Sequence, residues 1–172
     1  GRRAGERRDN DADGEWEHIE RHQFDGGPAP TGRTVDEDGD GRVDRVVSWY
    51  TDEELGASVT ETDEDNDGQP EAIEIDYDRD GTVSAVEFDD DGDGRIDRRE
   101  EILFENENSF IPIGDRVDTD ADGSWDEIRT YEYDEQSRRT RTEIDSDGDG
   151  TADRIEEEQY EDGLRIGRTI DT

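Results

Sequence analysis

Aspartate occupies alternate positions in six short segments of the chain, and each segment continues with glycine and a further acidic residue. The segments follow the pattern Asp-x-Asp-x-Asp-Gly-x-x-Asp/Glu and begin at Asp9, Asp36, Asp63, Asp89, Asp118 and Asp145. Successive segments start 26 to 29 residues apart, and a recurrent period of that size is typical of repeat proteins. Carboxylates at positions 1, 3 and 5 of a loop can all turn toward one bound cation. The pattern therefore predicts six metal-binding loops.

The predicted ligands share the same positions in every loop, counted from its first aspartate. Positions 1, 3 and 5 are always aspartate: Asp9, Asp11, Asp13, Asp36, Asp38, Asp40, Asp63, Asp65, Asp67, Asp89, Asp91, Asp93, Asp118, Asp120, Asp122, Asp145, Asp147 and Asp149. Position 9 is always acidic: Glu17, Asp44, Glu71, Asp97, Asp126 and Asp153. Position 7 varies, as expected of a residue that offers only its main-chain carbonyl: Glu15, Arg42, Gln69, Arg95, Ser124 and Thr151.

Calcium is the cation that this donor set favours. Ca²⁺ takes six to eight oxygen ligands in a flexible geometry, whereas Mg²⁺ retains its waters and requires a strict octahedron. Softer metals prefer His or Cys, and the chain has two His and no Cys. An acidic, glycine-rich segment can also be a solvated loop, but the recurrence of six in register favours about one calcium ion per loop, six or more per chain.

The segments between the loops favour strands rather than the two helices that flank an EF-hand loop. Ile73, Ile75 and Tyr77 alternate with polar residues, which is the period of a half-buried strand. Tyr133 and Tyr160 are each followed by a polar turn sequence, as in a hairpin. We predict an all-β fold, an elongated repeat array of antiparallel strands in which each 27-residue unit is a strand, a calcium loop, a strand and a turn. The pattern leaves a flat meander and a solenoid both open.

The repeat boundaries divide the whole chain into one array. The predicted array covers 1–172, with units 9–35, 36–62, 63–88, 89–117, 118–144 and 145–170, and we expect it to be a slice of a longer array. Apolar residues flank the loops and predict a narrow apolar seam beside the ions. Trp16, Trp49 and Trp125 are expected to pack in that seam, with a ligand-binding aromatic as the alternative.

The composition predicts that this seam alone does not hold the fold. Hydrophobic residues make up 25% of the chain, charged residues 44%, and the net charge is −36. Low hydrophobicity combined with high net charge is typical of disordered chains. A cation that binds only the folded state stabilises it, by about 2.7 kcal/mol at a hundredfold excess over its Kd. Calcium is therefore predicted to organise the fold.

The six loops together resemble the thrombospondin type 3 calcium repeats and related Asp-rich repeats of bacterial surface proteins. The resemblance spans residues 9–153 and implies extracellular calcium binding, rigidity and often adhesion. The chain differs in lacking the cysteines that cross-link those repeats, and in having strand-like segments between its loops.

Two functions follow as expectations. The first is a calcium-binding structural or adhesive repeat protein of the cell surface or extracellular matrix, rigidified by calcium and able to form fibres with neighbouring repeats or other copies. The second is a non-catalytic calcium-binding stalk or spacer, attached to an enzyme or toxin domain outside this sequence. Discriminating between them requires knowing which domains flank the array.

Other functions are disfavoured by the residues present. No catalytic residues are predicted, because carboxylates are too abundant for one acid–base pair to stand out. The negative charge disfavours nucleic acid, and no apolar run of membrane-spanning length occurs in the sequence.

Two alternatives stay open. The segment 76–87 is either an additional calcium site or an Asp-rich turn, and the glutamates at position 12 either bind the ion or do not: Glu20, Glu74, Glu100 and Glu156.

The loop count yields a direct prediction. Calorimetric titration with calcium should give about six ions per chain, because each loop carries a complete set of oxygen ligands. A seventh ion would assign a site to segment 76–87. A count near zero would mean that the acidic segments are solvated loops.

Overall fold

The computed structural model describes residues 5–77, 81–106 and 109–172, and over these ranges it contains thirteen β-strands and no helix. The strands are β1 (Gly5–Arg8), β2 (His18–Gln23), β3 (Gly32–Asp36), β4 (Arg45–Asp52), β5 (Ala57–Asp63), β6 (Ala72–Asp76), β7 (Ala85–Phe88), β8 (Arg98–Phe104), β9 (Pro112–Asp118), β10 (Glu127–Tyr133), β11 (Arg139–Asp145), β12 (Arg154–Glu161) and β13 (Leu164–Asp171). Each odd-numbered strand from β1 to β11 leads into one acidic loop, and the next strand leaves it.

The chain forms two compact units. The first consists of Gly1–Arg79 and Phe88–Arg95, the second of Asp80–Glu87 and Ile96–Thr172. In the first unit, β1 to β6 pair antiparallel in chain order. In the second, β8 to β13 pair in the same way. The prediction of an all-β repeat array of antiparallel strands is confirmed, and the reason is local: connections this short join only antiparallel neighbours. The repeat boundaries remain a prediction.

The buried apolar side chains are small and lie on both faces of the sheet. In the first unit, Val59 lies opposite Ile75 on one face, whereas Val35 and Val47 lie on the other. In the second unit, Ile144 is buried directly before the sixth loop. Mid-strand residues such as Val59 thus contribute to the core along with residues beside the loops such as Ile144.

The tryptophans do not share one apolar seam. Trp16 is 44% exposed, so packing in a seam is wrong for this residue. Trp49 donates its indole N–H to the Pro30 carbonyl at 2.6 Å. Trp125 lies under the Arg116 guanidinium, whose carbon is 4.1 Å from the ring centroid. Two of the three indoles therefore interact with polar partners, as indoles at a wet boundary commonly do.

Ion pairs between neighbouring strands lie on the sheet surface. In the first unit, Arg33 pairs with Glu20 at 3.3 Å, across β3 and β2. In the second unit, the Arg116 side chain donates to Glu101 at 2.9 and 3.2 Å, across β9 and β8. Long arginine side chains cover apolar surface with their stems while their charged ends stay in water. This explains how so few apolar residues accompany so many strands.

Aromatic side chains join the two strands of a hairpin at the end away from the acidic loops. The Tyr133 hydroxyl, at the end of β10, donates to the Pro112 carbonyl at 2.8 Å, at the start of β9. The Tyr160 hydroxyl, near the end of β12, has two acceptors within reach: Glu158 of the same strand at 2.7 Å, and the Arg139 carbonyl at the start of β11 at 3.1 Å. In these two hairpins an aromatic residue thus contacts the neighbouring strand at one end, and the acidic loop closes the other end.

Gly114 in β9 tests how tightly adjacent strands pack. A Cβ atom there would lie 2.3 Å from the Arg129 carbonyl oxygen, which belongs to the main chain of β10. We expect Gly114→Ala to lower the free energy of unfolding by about 1–3 kcal/mol, the usual cost of forcing extra volume into a packed region. Thermal or urea unfolding in calcium measures the change.

The matched control is Gly167→Ala in β13. A Cβ atom at Gly167 would meet only the Gln159 side chain, no closer than 3.6 Å. This change should be neutral or slightly stabilising, because glycine weakens a strand relative to alanine. Equal destabilisation by both substitutions would contradict the close approach at Gly114.

Candidate metal centres

Within each unit, the acidic loops lie at the same end of the strands. In the first unit, the first three loops join β1 to β2, β3 to β4 and β5 to β6. In the second unit, the fifth and sixth loops join β9 to β10 and β11 to β12. Because neighbouring strands run in opposite directions, every acidic loop lies at one end of the strands and every turn lies at the other end. Loops separated by two strands are therefore about 10 Å apart, at a strand spacing of about 4.8 Å.

The same hydrogen bonds shape all six loops. The N–H of the position-6 glycine donates to the position-1 carboxylate over 2.7 to 3.1 Å in every loop. The position-7 N–H donates to the position-5 carboxylate over 2.7 to 3.0 Å. The position-5 N–H donates to the position-3 carboxylate over 3.0 to 3.3 Å. The chain thus winds around its own aspartates and keeps their oxygens on the inside of the turn.

The position-9 residue closes the loop twice. Its main-chain N–H donates to the carbonyl before position 1, as from Asp44 to Val35 at 2.8 Å and from Asp153 to Ile144 at 2.8 Å. Its carboxylate accepts the position-2 N–H over 2.5 to 2.8 Å in the first, second, third, fifth and sixth loops. One carboxylate oxygen is therefore committed to the loop, and the other is left for a cation.

The position-1 aspartates lie deepest in the loops. Asp36 is fully buried, Asp89, Asp118 and Asp145 are also buried, and Asp9 and Asp63 are half-buried. A buried carboxylate costs free energy unless hydrogen bonds or a cation compensate its charge. Burial raises the pKa of Asp145, but main-chain N–H groups, that of Gly150 foremost, outweigh the effect and lower it overall. The carboxylate is therefore ionised at neutral pH, the form that binds a metal.

Position 9 of the fifth loop is held ionised in a similar way. The Thr119 hydroxyl and then the Thr119 N–H both donate to Asp126, and together they lower the pKa of that carboxyl below its ordinary value. Asp126 and Asp145 are therefore carboxylates, not carboxylic acids, near pH 7.

Carboxylate oxygens converge in four loops that each lie wholly within one unit. In the first loop, oxygens of Asp9, Asp11, Asp13 and Glu17 all lie within 4.8 Å of one another. The third loop gathers Asp63, Asp65, Asp67 and Glu71 in the same way. In the second and fifth loops, the converging groups are the first three aspartates: Asp36, Asp38 and Asp40, and Asp118, Asp120 and Asp122. Position 9 belongs to the converging group in the first and third loops, as Glu17 and Glu71, whereas Asp44 and Asp126 lie outside the groups of the second and fifth loops.

The remaining predicted ligands belong to the fourth and sixth loops. Asp89, Asp91, Asp93 and Arg95 lie in the first unit, whereas Asp97 lies in the second. In the sixth loop, Asp145 accepts the N–H groups of Asp149 and Gly150. At position 7, the main-chain N–H donates to the position-5 carboxylate. That the position-7 carbonyl binds the ion stays a prediction. Segment 76–87 extends over residues 78–80, outside the described residues.

The donor chemistry and spacing fit calcium. Ligand oxygens at 2.3–2.6 Å from one Ca²⁺ lie at most about 5 Å apart, and the clustered carboxylates satisfy that limit. Histidine does not enter the loops: His18 and His22 both lie in β2, and His22 Nε2 is 3.4 Å from a Glu20 oxygen. Asp clusters repeated in an antiparallel β fold are thus compatible with calcium-binding repeats.

Position 4 has a role that sequence reasoning missed. Its residue adopts a positive φ in every loop: 64° at Ala12, 75° at Gly39, 59° at Asn66, 70° at Gly92, 52° at Ala121 and 67° at Gly148. Only glycine, asparagine and alanine occur there, and glycine and asparagine are the residues that most readily adopt this conformation. The restricted composition of position 4 was the available signal.

Comparisons with known proteins found no relative of this chain. No protein-family model matches the chain, and no curated protein matches it. The resemblance to thrombospondin type 3 repeats therefore rests on the six loops alone. Among the described residues, no helix is long and apolar enough to cross a membrane.

Asp118 tests the assignment of the loops. The N–H groups of Asp122 and Gly123 donate to different carboxylate oxygens of Asp118, and Asp118→Asn replaces one of these oxygens with an NH₂ group, which cannot accept a hydrogen bond. We expect calcium affinity at the fifth loop to fall at least about tenfold, or about 1.4 kcal/mol. Calorimetry should then count one strongly bound ion fewer per chain.

The matched control is Glu132→Gln in β10. Glu132 is exposed and lies outside the loops, so the change removes the same unit of charge without touching a cluster. Calcium count and affinity should stay as in the unmodified chain. An equal loss in both variants would mean that calcium responds to overall charge and not to a built loop.

Proposed function

We propose that this protein is a calcium-binding structural or adhesive repeat protein of the cell surface or extracellular matrix, folded and rigidified by calcium. The observation that carries the proposal is the recurrence of one loop geometry. Loops with different residues at positions 2, 4, 7 and 8 keep the same main-chain bonds to aspartate. A merely solvated acidic turn has no reason to keep the same hydrogen bonds at each recurrence.

The charge distribution supports calcium as the organiser of the fold. The chain carries a net charge of −36, and within each unit the acidic loops lie about 10 Å apart. That distance is near the Debye length of about 8 Å at physiological ionic strength, so salt screens the repulsion between loops only in part. One divalent ion per loop removes much of this repulsion where it is strongest. The modest apolar core described above needs that contribution.

The proposed location follows from affinity. Calcium loops of extracellular modules bind with Kd values of about 10⁻⁴–10⁻³ M, far weaker than loops of cytosolic buffers. At such affinities the loops fill outside a cell and remain largely empty at cytosolic calcium levels. The protein would therefore complete its folding when it meets extracellular calcium.

We propose that the chain acts without catalysis. Its distinctive chemistry is confined to the acidic loops, where the carboxylates hold main-chain N–H groups as well as the proposed ion. The absence of cysteine leaves calcium as the natural cross-link of an exported protein with a small core. The structural role is one of stiffness, through ions that fix each hairpin.

Removal of calcium tests this proposal. Addition of a chelator should abolish most of the β circular dichroism signal and broaden the thermal transition, because the metal binds the folded state only. Restoring calcium to about 2 mM should restore the signal, and the midpoint of recovery should lie near the millimolar range. The same concentration of magnesium should restore little.

Two results would overturn the proposal. A spectrum unchanged by chelation would mean that the strands need no ion. A submicromolar midpoint at every loop would place the protein among cytosolic calcium binders. A control titration with sodium chloride at matched ionic strength separates specific binding from general screening of the charges.

A further inference from the structure

Adjacent acidic loops touch through their main chains. In the first unit, a Cβ atom at Gly39, position 4 of the second loop, would lie 1.6 Å from the Trp16 carbonyl oxygen, position 8 of the first loop. In the second unit, a Cβ atom at Gly148, position 4 of the sixth loop, would lie 2.0 Å from the Trp125 carbonyl oxygen, position 8 of the fifth. The same pair of positions therefore meets in both units, with no space for a side chain.

A third junction uses the same positions with a hydrogen bond. Asn66, position 4 of the third loop, donates its side-chain amide to the Val43 carbonyl, position 8 of the second loop, at 3.1 Å. The position-8 carbonyl of one loop is thus contacted by position 4 of the next loop at three junctions within the described residues. A contact that recurs while its chemistry changes marks a surface on which neighbouring loops are fitted together.

Each side of the contact is fixed by the proposed ligands of its own loop. The Trp16 carbonyl belongs to the same planar peptide group as the Glu17 N–H, which donates to the Arg8 carbonyl at 3.1 Å and closes the first loop. Glu17 is also a member of the first carboxylate cluster. Across the junction, the Gly39 N–H donates to Asp36 at 2.7 Å. The path between two clusters is therefore a few main-chain atoms long.

The junction between the fifth and sixth loops repeats this path. The Asp126 N–H, in the peptide group of the Trp125 carbonyl, donates to the Val117 carbonyl at 2.8 Å. Gly148 donates its N–H to Asp145, the first aspartate of the sixth loop. An ion that draws in the carboxylates of one loop must also set the position of the peptide group against which the next loop rests.

Gly39 and Gly148 are required by the contact and not by the loop conformation. Ala12 and Ala121 occupy position 4 of the first and fifth loops with φ values of 64° and 52°. Alanine is therefore compatible with the backbone at position 4. At Gly39 and Gly148 the neighbouring carbonyl excludes it.

We propose that calcium binding to adjacent loops is coupled through this contact, with Gly39 and Gly148 as the positioning residues that transmit the coupling. The inference rests on the proposed calcium binding and adds a dependence between sites. Filling one loop raises the affinity of the next, and by thermodynamic linkage the second raises the affinity of the first by the same factor. The array then fills with calcium as runs of neighbouring loops.

The test is a double-mutant cycle in the second unit, read loop by loop. The N–H groups of Gly123 and Gly150 each donate to the first aspartate of their own loop, so their NMR signals report the fifth and sixth loops separately. Asp120→Ala impairs the fifth loop. In the otherwise unmodified chain, Asp120→Ala should raise the calcium midpoint of the Gly150 signal, which is the calcium concentration at which half of the change in that signal has occurred. The expected increase is at least about fivefold, the lower end of typical coupling.

Gly148→Ala should raise the calcium midpoints of both signals, that of the Gly123 signal through lost coupling. Adding Asp120→Ala to Gly148→Ala should then produce no further shift at Gly150, since the path is already broken. Gly163→Ala is the matched control: its φ is 80°, it lies outside the loops, and a Cβ atom there meets nothing within 4 Å. It should leave both midpoints unchanged.

Every outcome decides between the two proposals. If neither signal responds to calcium, the proposed function fails. If both respond but Asp120→Ala leaves the Gly150 midpoint unchanged, calcium binds and the coupling is overturned. Equal shifts at Gly150 caused by Asp120→Ala with and without Gly148→Ala would likewise overturn the role of this contact. If Gly148→Ala fails to fold, the same cycle can be run at the junction of the first and second loops. Gly39→Ala then breaks the contact, and the NMR signals of Gly14 and Gly41 report the two loops.

Discussion

Aspartate carboxylates held by main-chain N–H groups are the interaction on which this structure depends. In every loop the position-6 glycine donates to the first aspartate, and in most loops that aspartate is buried. The main-chain donors compensate part of the cost of burying a charge. They also bring the other carboxylates of the loop to within a few ångströms of one another. Gathering like charges in this way costs free energy, and a cation shared by the carboxylates would offset that cost.

The sheet faces show the consequence of having little apolar material. Buried side chains such as Val35, Val59 and Ile144 are small and scattered over both faces. Cross-strand ion pairs and guanidinium groups over aromatic rings lie on the surface, as at Trp125 beneath Arg116. Exposed ion pairs stabilise a fold only weakly. The end of the strands that carries the acidic loops is therefore the part of each unit where the free energy of cation binding could contribute most to stability.

The two ends of the β9–β10 and β11–β12 hairpins have different contacts. At the turn end, Tyr133 donates to the Pro112 carbonyl, and the Tyr160 hydroxyl lies 3.1 Å from the Arg139 carbonyl oxygen. At the loop end, main-chain bonds to carboxylates determine both the turn and the proposed ligand positions. Because a repeat contacts mainly its neighbours, the loop-to-loop contacts at Gly39 and Gly148 provide the shortest physical link between proposed sites.

The sequence alone determined the loops and the class of fold. Alternating aspartates ending in glycine specify a turn by local hydrogen bonds, and short polar connections between β-branched and aromatic runs require antiparallel strands. Both are properties of residues near in the chain. The period of the loops also implied that they recur along the structure.

Only the tertiary structure decided which side chains are buried and which loops touch. Trp16 is exposed although its position next to an acidic loop suggested packing, whereas Val47, Val59 and Ile75 are buried in mid-strand. These outcomes depend on register and twist between strands, which bring together residues distant in the chain. The close approach of Gly148 to the Trp125 carbonyl is of the same kind. It joins positions more than twenty residues apart, and no local pattern encodes the distance between two neighbouring turns.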